Sequence, residues 1–322
     1  MATYYKGYGP GMICRGKKYE EGHVYEEERA EVCECGMHFC KNPFDVLDYY
    51  DIVNEDGEFN EFSTVEPLDE SLTDDGKKFC TRKLKIGAKL SISGFIKACV
   101  DFVIEKTTEE SGTDTASARD AKIGSSGKYA KIGSSGYYAK IGSSGDCAQI
   151  GSSGDYAQIG SSGNSAKIGS SGYYAQIGSS GYYAQIGSSG DYAKIGSSGN
   201  YAKIGSSGDY AKIGSSGYYA QIGSSGDCAQ IGSSGDCAQI GSSGDYAKIG
   251  SSGYCAVVMC AGRCSKVKAK KGSFITLAEW KQRDDGRWIP AHVVTKQVDG
   301  EEIKENTFYM LKDGEFVEVE DE

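Results

Sequence analysis

The chain has 322 residues, a formal net charge of -10, 46 Gly, 23 Tyr, 12 Cys and only 4 Pro. Scarce proline without glycine at every third position excludes collagen, and the absence of any run near 18 apolar residues excludes a membrane-spanning helix. The first residues lack an apolar core of the signal-peptide type, so no secretory leader is expected and the cysteines read as thiols.

Residues 1–108 read as a small α+β domain. Gly7-Tyr8-Gly9-Pro10-Gly11 is a turn cluster. Short strands are expected around Val24, Val32 and Met37-His38-Phe39. Asn42-Pro43 supplies an N-cap and a first helical residue for a helix to about Tyr50. Phe62-Ser63-Thr64-Val65 and Lys83-Leu84-Lys85-Ile86 alternate as strands. Phe95, Ile96, Cys99, Val100 and Val103 recur at helical spacing, predicting an amphipathic helix over about Gly94 to Lys106 that covers the open end of the following repeats.

Cys33, Cys35, His38 and Cys40 are the metal-ligand types of this domain. Their spacing departs from the paired Cys-x2-Cys of zinc sites, and a strand through them would send some side chains inward as core, so no metal and no cofactor are assigned. The histidines number three (His23, His38, His292), and no nucleophile–base, phosphate-loop or paired-carboxylate pattern appears. The chain is therefore read as a non-enzyme, with these four residues as the metal-binding or enzymatic alternative.

Residues 109–270 hold the repeat. From Ala121 to Cys255 the chain is 15 copies of Ala-(Lys/Gln)-Ile-Gly-Ser-Ser-Gly-x-(Tyr/Cys), followed by one degenerate unit from Ala256 to Cys264. These copies contain 30 of the 46 glycines and, with 9 Lys and 7 Asp, carry a net +2. A linker would not keep Ile at every ninth residue. Alternation in Tyr-Ala-Lys-Ile predicts a strand with Ala and Ile inward, and Tyr and Lys/Gln outward. Gly-Ser-Ser-Gly is then the corner, with Gly taking a positive φ. The result is a parallel β-solenoid of about two units per coil, with a triangular three-unit coil as the alternative. Two units per coil place Asp191, Asp209, Asp227 and Asp245 in one column, where their charges need a cation, water or Lys. The same stacking sets Cys237 over Cys255.

The outward ladders are the expected binding surface: Tyr129, Tyr138, Tyr156, Tyr174, Tyr183, Tyr192, Tyr201, Tyr210, Tyr219 and Tyr246, with Lys194, Lys203 and Lys212. Aromatics suit protein contacts or sugar stacking, but they also stabilise a β surface by cross-strand pairing alone. Seven Asp at the eighth position are too few for a calcium roll, and +2 is too weak for nucleic-acid binding.

Residues 271–322 read as a small antiparallel β cap. Ser273 to Trp280 and Arg287 to Val298 are strands around Asp284-Asp285-Gly286, the second interrupted by Pro290. Phe308 to Leu311 pairs with Phe316 to Val319. Trp280 and Trp288 are candidates for an oligomer contact.

Cys14-Arg15-Gly16, Cys35-Gly36-Met37-His38-Phe39-Cys40, Asn42-Pro43 and Lys85-Ile86-Gly87 together resemble the N-terminal domain of phage and prophage proteins of unknown function, which continue into short β repeats and end in a tail similar to Ile275-Thr276-Leu277-Ala278-Glu279 through Phe316-Val317-Glu318-Val319. The Ile-Gly-Ser-Ser-Gly repeat departs from that family's Ala-Thr-Asn-Thr-Gly type. The resemblance implies a phage-derived protein in the host cytoplasm, or in the virion, and carries no catalytic residue. The expected function is a repeat scaffold that binds a protein partner, with inhibition of host defence as its sharper form. A virion adhesin binding glycans through the Tyr ladders is the alternative.

Overall fold

In the computed structural model, the described residues are 3–32, 34–54, 58–108, 115–116 and 119–320. The protein is mainly β, with a parallel solenoid of about nine turns flanked by small antiparallel sheets.

Each repeat forms one four-residue strand, such as Lys194–Ser197 or Lys203–Ser206, covering positions 2 to 5 of the unit. Successive strands alternate between two parallel sheets, and pairing is offset by 18 residues: Lys194 pairs with Lys212, and Lys203 with Gln221. Two units therefore make one coil, and Cys237 and Cys255 share a column. Ile at position 3 points inward throughout, and the Ile and Ala columns form one continuous core. At about 1.5–3 kcal/mol per buried Ile, the core is built by addition of coils rather than by any single repeat.

The corner differs from the sequence expectation in two respects. Position 9, not glycine, adopts the left-handed conformation: in all fifteen repeats its φ lies between 55° and 63°. The strand thus does not extend back through Tyr, and the Tyr side chains leave the edges of the coil rather than its flat faces. The two glycines have other reasons. A Cβ at the position-7 glycines would overlap the carbonyl of the equivalent glycine one coil earlier, as for Gly199 on Gly181 and Gly217 on Gly199. The position-4 glycines lie within the strands.

The acidic column needs no added cation. Asp209 N–H donates to Asp191 Oδ1 (2.9 Å), Asp227 N–H to Asp209 Oδ1 (2.8 Å) and Asp245 N–H to Asp227 Oδ1 (2.8 Å). Arg263 ends the column, donating its N–H and its Nε to Asp245 at 2.7 and 2.6 Å. Hydrogen bonds to a charged acceptor offset the repulsion between successive carboxylates.

The N-terminal region is a six-stranded antiparallel sheet in the order Val24–Glu26, Lys83–Leu90, Glu61–Pro67, Tyr4–Tyr8, Met37–Cys40, Lys78–Thr81. Val32 lies in a turn rather than a strand. Helix α1 spans Pro43–Val46, shorter than expected, with Asn42 Oδ1 accepting from Phe44 N–H as its cap. Helix α2 spans Ile92–Thr108 and does not close the end of the solenoid. It lies across one flat sheet, against five successive strands from Lys122–Ser125 to Lys194–Ser197.

The C-terminal residues form two antiparallel hairpins, each continuing a different sheet of the solenoid. Phe274–Gln282 pairs in parallel with Val257–Cys260 and antiparallel with Trp288–Gln297. Tyr309–Lys312 pairs with the strand Lys266–Ala269 and with Glu315–Glu318. Pro290 stays inside its strand, at a register shift opposite Glu279 and Trp280. Trp280 Nε1–H is bonded within the chain, to Ala261 O at 2.8 Å.

Candidate functional site

The two flat sheets have one repeat sequence and opposite surroundings. On the first, the position-4 glycines are buried by the N-terminal region. A Cβ at Gly178 would meet Val100 and Phe44, at Gly196 Ile52 and Ile96, and at Gly232 Val53 and Phe59. The position-2 ladder on this sheet is engaged by a row of carboxylates. Asp45 Oδ1 accepts from Gln158 at 3.4 Å and Asp48 Oδ1 from Gln176 at 3.1 Å. Asp51 pairs with Lys194 (2.8 Å) and Lys212, and Lys194 also donates to Leu47 O. Asp45 lies in α1, and Asp48 and Asp51 in the non-helical residues that follow it, so the row is presented by a short helical turn and its continuation rather than by one helix. Burial pushes the Asp45 and Asp48 carboxyls above the ordinary aspartate range, while Lys140 and Lys194 respectively pull them back.

Among the described residues, nothing lies over the glycines of the second sheet from Gly151 to Gly241. Lys131, Gln149, Lys167, Gln185, Lys203, Gln221 and Gln239 are exposed at position 2. Between them runs a trough floored by glycine, where a Cβ at Gly151, Gly169, Gly187, Gly205, Gly223 or Gly241 would meet nothing. These two columns carry three lysines and no carboxylate. The trough ends at an apolar patch, where Val257, Met259 and Phe274 are exposed.

The predicted lysines are thus divided: Lys203 faces the open trough, whereas Lys194 and Lys212 are used inside the chain. The predicted tyrosines are divided between the two edges. Tyr138, Tyr156, Tyr174, Tyr192 and Tyr210 stack in one column with centroids 4.9–5.1 Å apart. Tyr183, Tyr201 and Tyr219 stack in the other, 5.0 and 5.1 Å apart. Tyr129 and Tyr246 are the most exposed of the ten, and Lys128 lies over the Tyr129 ring. Within each stack the ring faces cover one another, leaving edges and hydroxyls outward.

Cys33 lies outside the described residues. Cys35, His38 and Cys40 line one cavity of the N-terminal region, together with Lys6, Cys14 and Tyr50. Among the described residues no three His, Cys, Asp or Glu side chains converge as metal ligands. Burial and the nearby Lys6 charge push His38 down to about 4, and burial pushes the Cys40 thiol up to about 12. Sequence reasoning missed the open trough, because both sheets share one repeat. It also missed the approach of Lys6 to Cys14, which depends on the fold.

Residues 2–98 match the family model of a domain of unknown function, DUF7666. No curated protein and no solved structure matches the chain. No helix among the described residues is long and apolar enough to cross a membrane.

Proposed function

We propose that the protein is a binding scaffold whose open solenoid sheet receives an amphipathic helix of a protein partner, with carboxylates at every third residue. The observation carrying this reading is that the same repeat, on the other sheet, already receives a helix, α2, whose Ile96 and Val100 lie on the glycines, beside a row of carboxylates, Asp45, Asp48 and Asp51, from α1 and the residues after it along the Lys/Gln ladder. Lys131, Lys167 and Lys203, which pair with no carboxylate among the described residues, supply the charge complementarity, and Val257, Met259 and Phe274 an apolar anchor. The trough from Lys131 to Gln239 crosses seven strands, about 29 Å, the length of roughly 19 helical residues. The stacked Tyr columns favour a structural role over sugar binding, because their ring faces are taken. The phage setting implied by the resemblance makes a host protein, including one of a defence system, the partner class to test first.

The test uses a 20-residue amphipathic peptide with Asp at every third position and Ile/Val on the same face, and fluorescence anisotropy. Binding should weaken at least tenfold in K167E/K203E, and also in Gly187→Leu, which fills the trough without touching the core. No binding, or binding indifferent to both variants, removes the reading. Dimerisation of the protein, abolished by Gly187→Leu, would replace it with self-association.

A further inference from the structure

The cavity of the N-terminal region contains a lysine that lacks an acidic partner. Lys6 is 4 % exposed on the strand Tyr4–Tyr8. Its Nζ donates to His38 O at 3.0 Å and to Cys14 Sγ at 3.6 Å. The rings of Tyr8 and Tyr19 lie 5.5 and 5.3 Å from it, and among the described residues no carboxylate pairs with it. Burying an ammonium group without a counter-ion costs several kcal/mol, and Cys14 Sγ, 3.6 Å away, is the ionisable group placed against it. The Tyr50 side chain lines the same cavity as Cys14. Tyr50 is itself seated by Gly7, where a Cβ would strike the ring at 2.8 Å. Cys14 is held at the base of a tight hairpin, Cys14 opposite Lys17, whose turn residues Arg15 and Gly16 have φ of 51° and 76°.

The geometry points to Cys14 as a nucleophile, opening on a cavity that takes a small organic anion with an electrophilic carbon. The cavity holds about 370 Å³, the size of a small-molecule site. Its lining carries Lys6, Arg15, Lys17 and Lys78 against Glu27 and Glu34, so it is cationic on balance, and aromatic rings wall it. The proton of the thiol passes to the Lys6 amine. The thiolate then attacks carbon, an S–C bond forms, and the leaving group departs with the electron pair of the bond it breaks. Desolvation lowers the Lys6 pKa, and the neighbouring Cys14 pulls it back. The other buried thiols do not compete: burial raises Cys40, Cys80, Cys99 and Cys260. This site does not depend on the open solenoid sheet.

The test is site-resolved alkylation of the whole folded protein by iodoacetate and by iodoacetamide, read by peptide mass spectrometry. The exposed Cys255 and Cys264 serve as internal references. Cys14 should react about tenfold faster than either and should favour iodoacetate, the anion, relative to those references. Lys6→Met should slow Cys14 about tenfold and abolish that preference, with Cys255 and Cys264 unchanged. Tyr50→Phe, which keeps the ring against Gly7, should slow Cys14 less and leave the fold intact, so that loss of folding in Lys6→Met would not protect the proposal. Cys14 no faster than Cys255 in the unmodified protein, or a rate unaffected by Tyr50→Phe and Lys6→Met, overturns it.

Discussion

A Cβ on Gly199 would occupy the space of the Gly181 carbonyl one coil earlier. The repeat's second glycine is therefore a packing requirement of the stack, whereas its first glycine has a different role on each sheet.

That contrast is measurable. Gly199→Ala should destabilise the protein severely or prevent folding, since the obstacle is backbone and cannot rotate away. Gly187→Ala, on the open sheet, should be neutral or stabilising by about 0.5 kcal/mol, as glycine inside a strand costs conformational entropy. Thermal denaturation of the two variants distinguishes them, and equal losses would contradict the assignment.

The hydroxyl groups inside the solenoid give a second test. Ser161, Ser179, Ser197, Ser215 and Ser233 are fully buried, and their Oγ atoms have no hydrogen-bond partner. An unpaired buried hydroxyl costs about 1–3 kcal/mol. Ser197→Ala should accordingly raise stability, by about 1 kcal/mol, in chemical denaturation. A loss of similar size would mean that the hydroxyl column is bonded.

Docking of the acidic row should depend on Asp51, which is shared between Lys194 and Lys212. Asp51→Ala should raise amide exchange at Leu47 to Asn54 about tenfold, the equivalent of about 1.4 kcal/mol, while the strands of the open sheet keep their protection. Uniform change across both sheets would show that the row is part of the global fold rather than a docked element.

Acid should act on the end of the carboxylate column. The Arg263 guanidinium, together with its backbone N–H, holds the Asp245 carboxyl below the usual aspartate value. A depressed folded-state pKa contributes stability that is complete above the unfolded value, near pH 4, and is lost as pH falls through the folded one. Arg263→Gln should lower stability at neutral pH and flatten the dependence below pH 4, which denaturation midpoints at pH 7, 4 and 3 would reveal.

Much of the fold was legible. Ile at every ninth residue could have no other use than a stacked core, and Asn42-Pro43 and Asp284-Asp285-Gly286 mark their cap and turn by local chemistry alone. The Tyr position was not. Tyr-Ala-Lys-Ile alternates as a strand would, but the left-handed backbone at Tyr192 and its equivalents breaks the phase before the strand begins at Lys194. A bulky residue at positive φ is rare, so nothing local signals it. The covered and open sheets were equally hidden, since Lys194 and Lys203 sit in the same nine-residue unit. The difference between them is made by Asp45, Asp48 and Asp51, more than a hundred residues away. Lys6 and Cys14 are eight apart in sequence but meet only through the folding of the first strand against the hairpin.

A coil of two units makes the protein count in pairs. Removing 18 residues shortens the rod and leaves every remaining side chain facing as before. Removing nine exchanges the sheets for everything downstream: strands now open would come to lie on the side of α2, and the two C-terminal hairpins would trade edges. The repeat sequence alone would accept either change. The parity of the array is instead fixed from outside, by the element lying on one sheet and the two hairpins that end them, so variation in length should come in whole coils.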